Sequence, residues 1–116
     1  MPALVLETIV RQHAEQAAFL WTLYDAHMRD PAANEEMDAD RLGRLVERLE
    51  AHLDGLRVAG ADGLRIAEEL YAEYPEAGEL FVLRMLQPGA AGMRIRDLDL
   101  AKVRAFLDAT LPPPAG

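Results

Sequence analysis

The sequence predicts an all-α fold: about five helices packed as antiparallel pairs, in a helical bundle or a short helical array. Three observations carry this expectation. Ala, Leu, Glu and Arg dominate the 116 residues and β-branched residues are few, the composition of helix formers. Apolar residues recur at three- and four-residue spacing, with no strong strand or hairpin signal between them. The breaks between periodic segments are short and hold Pro, Gly or Asp, so sequential helices should pack antiparallel.

The first helix is expected over residues 7–29. Val10, Ala14, Ala17, Leu20, Trp21, Tyr24 and Met28 fall on one broad face at 100° per residue. Phe19 and Leu23 fall nearly opposite, and the clearly polar arc (Arg11, Glu15, Thr22, Arg29) is narrow. Such a helix belongs at the centre of the fold, with neighbours on more than one side. Pro31 ends it, because proline disfavours helix in the residue before it. Residues 31–37 read as a linker.

Asp38 or Asp40 is the expected N-cap of a second helix, over residues 39–58. Its stripe is the cleanest in the chain: Leu42, Leu45, Val46, Leu49, Leu53 and Leu56. Arg44, Glu47, Ala51 and Asp54 lie opposite. Asp40 with Arg44 and Asp54 with Arg57 are spaced for exposed ion pairs. Gly60 supplies a stop. A third helix, over residues 62–74, groups Leu64, Ala67, Leu70, Tyr71 and Tyr74, with Glu68, Glu69 and Glu73 outside. Pro75 stops it. A fourth, over residues 76–86, carries Leu80, Phe81, Val82, Leu83, Met85 and Leu86 all round its axis, so it must be deeply buried or covered by a partner. After the QPGAAG loop and an ambiguous piece at residues 93–96, a fifth helix is expected from Asp97 or Asp99 to Thr110. One all-α domain should span residues 1–111, with residues 112–116 as a Pro-rich tail.

Composition narrows the function classes. Twelve Lys+Arg against 20 Asp+Glu give a net charge of −8, which argues against a general nucleic-acid binder. No apolar run approaches the ~18 residues of a membrane span, and the first residues lack a signal-peptide pattern. With 51% apolar residues, disorder is excluded as the main state. These features predict a cytoplasmic protein, with no membrane partner. Zero cysteines exclude disulfides, thiolate metal sites and thiol catalysis.

Candidate chemistry is sparse. His13, His27 and His52 are the three histidines, and the positions three before them are Val10, Tyr24 and Leu49, so the Glu-x-x-His pattern of di-metal bundles is absent. HExxH is absent too. Each histidine is expected to be partly buried and to give its ring N–H to a neighbouring group. No serine exists, Thr8, Thr22 and Thr110 form no recognisable nucleophile motif, and GAAG at residues 89–92 lacks the Lys-Ser/Thr of a phosphate loop. The expectation is no enzyme, no catalytic residue, no metal and no cofactor. Phe19, Trp21 and Leu23 in the first helix, and Phe81, Val82 and Leu86 in the fourth, form the candidate interaction surface, because five short helices hold little material to cover both.

Two stretches carry a family resemblance: QHAEQAAFLW at residues 12–21 and LEAHLDGLRVAG at residues 49–60. Together they resemble the N-terminal region of a family of uncharacterised bacterial HEAT-repeat proteins, often encoded beside type VI secretion components and PAAR-like proteins. The likeness spans residues 9–86. It implies a HEAT-like helical scaffold without established enzymatic activity. His13, Trp21, His52, Asp54 and Gly55 match its motifs, with a structural or interfacial role. The family would continue into further repeats beyond Leu86, whereas this chain reaches Pro112, so it would be a truncated module or a stand-alone relative. The function expected is a protein–protein interaction module, an adaptor or scaffold linked to type VI secretion, bound to a protein partner or to itself as a homo-oligomer. The alternative is a small acidic inhibitor, such as an immunity protein or antitoxin, that covers a basic partner.

Overall fold

The structure is a computed structural model, and it describes residues 3–88. Four α-helices occur there: α1 (Ala3–Arg29), α2 (Ala39–Val58), α3 (Ala61–Glu73) and α4 (Ala77–Met85), with a single 3-10 turn at Pro31–Ala33. No strand occurs among the described residues. The protein is all-α, a helical bundle. The expected fifth helix and the Pro-rich tail lie outside the described residues.

Each helix boundary has a local cause. Asp38 caps α2: its Oδ1 accepts the Arg41 backbone N–H at 2.8 Å. Gly60 joins α2 to α3 at φ +62°, ψ −127°, a conformation that only glycine adopts without strain. Pro75 sits between α3 and α4, where its missing N–H forbids continuation of the helix. Helix α1 begins at Ala3, a turn before the expected Glu7.

Helix α1 is the central element and packs against the other three. His13 meets His52, and Leu20 and Leu23 lie beside Leu45. Numbers fall along α2 as they rise along α1, so the two run antiparallel. Helices α3 and α4 form a second hairpin: Leu70 and Tyr74 lie near Glu76 and Glu79, and Leu64 lies near Met85.

One apolar core joins all four helices. Val10, Ala14, Leu20, Trp21, Leu49, Leu53, Leu56, Ile66, Leu70 and Phe81 are among its buried members. Trp21 stacks on Phe81, with centroids 5.0 Å apart and planes 16° apart, an arrangement that adds about 0.5–1.5 kcal/mol to burial alone. Helices α1 and α4 come unusually close at Gly78. A Cβ there would lie 2.6 Å from the Ala18 carbonyl oxygen and 2.7 Å from Thr22 Oγ1. The stripes expected for α2 and α3 are buried at their centres and looser at their ends: Leu42, Val46 and Tyr71 are half-buried and Tyr74 is exposed.

Candidate interaction surface and histidine pair

Three of the six residues expected on the interaction surface belong to the core. Trp21, Phe81 and Val82 are 2%, 1% and 1% exposed. The bundle does cover both apolar helices at these positions, because the Gly78 contact lets α4 lie directly on α1. Leu86 is half-buried at the end of α4. Phe19 and Leu23 differ: they are 58% and 38% exposed.

Their exposure follows from α1 geometry. Gln12, Gln16, Phe19, Leu23 and Ala26 succeed one another at three- and four-residue steps, and all five are exposed. Phe19 and Leu23 thus continue a polar stripe with apolar side chains. Beside them runs an open groove of about 370 Å³ between α1 and α2. Leu20 and Leu45 form part of its lining, Met37 and Glu36 stand at one end, and Arg41, Arg44 and Arg48 form its α2 side.

The arginines have unequal partners. Arg44 pairs with Asp40, one turn away on α2. Arg41 donates to the Glu36 carbonyl oxygen at 2.9 Å, a backbone contact. Arg48 forms no ion pair with a described residue. The reason lies in the helix. Three and four residues to either side of Arg48 stand Leu45, Ala51, Arg44 and His52, so no carboxylate is within intrahelical reach. Around Arg41 the same positions offer only Asp38, which is occupied as the N-cap. This spacing was readable in the sequence, yet Arg41 and Arg48 are absent from the expected surface because their neighbours on α1 were not.

Residues 12–21 and 49–60 meet at one point of the α1–α2 contact. His13 and His52 approach Nδ1 to Nδ1 at 2.9 Å. Their ring centroids are 5.2 Å apart, which is the nitrogen–nitrogen distance plus one ring radius at each end. The rings therefore meet head-on through one hydrogen bond. One ring donates its Nδ1–H and the other accepts, with its own proton on Nε2. Gly55 makes room: a Cβ there would lie 2.9 Å from the His13 ring. Asp54 points elsewhere and accepts from Arg57 at 2.9 Å. Burial, then the nearby His13 and Arg48, hold the His52 pKa below its ordinary value. His27 is half-buried, and its Nδ1 is buried without a hydrogen-bond partner among the described residues.

No family model matches this chain, and no curated protein or solved structure is significantly similar to it. Its site must be read from its own residues. Among the described residues, no three His, Cys, Asp or Glu side chains converge in a way that could hold a metal ion. No helix among them is long and apolar enough to cross a membrane. What remains is an apolar groove with a cationic edge, and farther along the same helix pair the His13–His52 hydrogen bond.

Proposed function

We propose that this chain is a non-enzymatic protein–protein interaction module, an adaptor or scaffold of the cytoplasm, and that the groove flanked by Phe19 and Leu23 is its docking face. The observation that carries this reading is the exposure of an aromatic and an aliphatic side chain next to each other on the groove between α1 and α2. Exposing Phe19 leaves a large apolar area in water that a partner would remove. The resemblance of residues 12–21 and 49–60 to HEAT-repeat proteins supports type VI secretion as the setting.

A small acidic inhibitor is the other class the net charge of −8 suggests. It would bind through carboxylates. Two of the three outer glutamates of α3 are already engaged: Glu73 accepts from Arg11 at 2.7 Å and Glu69 from Arg65 at 3.0 Å. The Arg11 hydrogen bond holds the Glu73 carboxyl below its ordinary pKa. The exposed apolar surface, moreover, lies beside arginines.

Light scattering of the purified chain, alone over a concentration range and after mixing with extract of its own cells, tests the proposal. The expected result is a mass above the monomer in at least one condition, returning to the monomer in Phe19→Glu/Leu23→Glu. Wild type that stays monomeric in every condition, like the double variant, would overturn it.

A further inference from the structure

The charge around the groove identifies the kind of partner it fits. The chain holds 20 acidic and 12 basic residues, so arginines without carboxylates should be scarce. Among the described residues, Arg11, Arg29, Arg44, Arg57 and Arg65 all form ion pairs, and Arg84 is buried. Arg41 and Arg48 are the exposed arginines without an ion pair to a described residue, and both edge the groove that Phe19 and Leu23 flank. Among the described residues, the exposed arginines without an ion pair thus stand beside Phe19, the more exposed of two exposed aromatic side chains.

We propose that this groove receives an acidic amphipathic helix of a partner protein, which seats apolar side chains against Phe19 and Leu23 and sets carboxylates over Arg41 and Arg48. This rests on the reading of that face as a docking surface. Arg41 and Arg48 are two turns apart on one helix face, about 10.5 Å along the axis. A helix lying along the groove presents carboxylates at the same spacing when they stand seven residues apart, with apolar anchors at intervening three- and four-residue steps. Arginine suits the task, since its fork pairs bidentately with carboxylates and its charge survives partial burial. A second copy of this chain fits less well. Two-fold pairing through the same face gathers Arg41 and Arg48 of both copies into one interface, and like charges held close oppose association.

The experiment pans a phage-displayed library of helical peptides, unbiased in charge, against the immobilised full chain. Enriched peptides are then measured by fluorescence anisotropy. The expected result is enrichment of peptides with an excess of Asp and Glu and apolar residues at i, i+3 or i+4, and i+7. Arg41→Glu/Arg48→Glu should weaken their binding by about tenfold or more, and added salt should weaken it further. Both positions are exposed, so circular dichroism should show both variants folded. Enrichment of neutral or basic peptides that need Phe19 but ignore Arg41 and Arg48 would overturn the acidic partner and leave the docking face standing. Absence of any enrichment above Phe19→Glu/Leu23→Glu would overturn both. Self-association of the wild type that consumes the same face would overturn the acidic partner in favour of a second copy.

Discussion

Phe19 and Trp21 stand two residues apart on α1 and have opposite fates. Trp21 is sealed against Phe81 of α4, while Phe19 is 58% exposed beside an arginine-edged groove. The two positions differ by about 200° around the helix, so one faces α4 and the buried core and the other faces the groove along α2. The comparison shows that aromatic content by itself does not mark a binding surface. What marks it is the neighbour across the helix pair. Gly78 brings α4 onto the Trp21 side, while Arg41 and Arg48, which form no ion pair with a described residue, line the Phe19 side.

The first way to break the comparison is to remove the buried member. Trp21→Ala should cost about 3–5 kcal/mol, as large-to-small changes at buried aromatic positions do. Urea unfolding followed by circular dichroism measures this. Phe81→Ala should cost a similar amount, and the double variant less than the sum, because the two rings share one contact.

A second way is to wedge α4 off α1. Gly78→Ala places a methyl group against the Ala18 carbonyl oxygen and Thr22. Backbone cannot yield as a flexible side chain can, so a loss of about 1–3 kcal/mol is expected. Thermal unfolding checks it, with Gly43→Ala as the control, since a Cβ at Gly43 meets nothing within 4 Å.

Much of this was legible in the sequence. The Leu45, Leu49, Leu53 and Leu56 stripe, the Asp38 cap, the Asp40–Arg44 and Asp54–Arg57 pairs and the stops at Gly60 and Pro75 all follow from local rules of spacing and backbone chemistry. The division of the six surface candidates was not legible. Trp21, Phe81 and Val82 are buried because of how α4 crosses α1, and that depends on a close approach at one glycine. Periodicity gives the face a residue occupies, but it does not tell which face another helix will cover. The histidine pair lay hidden for the same reason. His13 and His52 are 39 positions apart, and only the antiparallel register of α1 and α2 joins them.

That register gives the His13–His52 contact a pH dependence. His52 titrates below its ordinary value in the folded chain, mainly through burial and then through His13 and Arg48. The unfolded chain, with histidine near pKa 6.5, therefore binds a proton first as pH falls. Stability rises with pH wherever the unfolded state holds more protons. The His52 contribution should be fully present above about pH 7 and should decline as pH drops through about 6.5, levelling out below the folded pKa. Unfolding midpoints between pH 5 and 8, measured for wild type and His52→Gln, check the sign. A flatter profile in His52→Gln is expected. An unchanged profile would contradict the His52 contribution. This effect should be smaller than either core substitution, because the pair is only partly buried.

The smallest expected change is the most telling. If Phe19 and Leu23 serve a partner rather than the core, replacing both with serine should leave the chain's own stability nearly untouched. Urea unfolding of Phe19→Ser/Leu23→Ser measures this directly. Values within about 0.5 kcal/mol of wild type per substitution, the range of ordinary surface changes, are predicted. A loss of several kcal/mol, comparable with Trp21→Ala, would place Phe19 in the fold's own core and contradict the docking face.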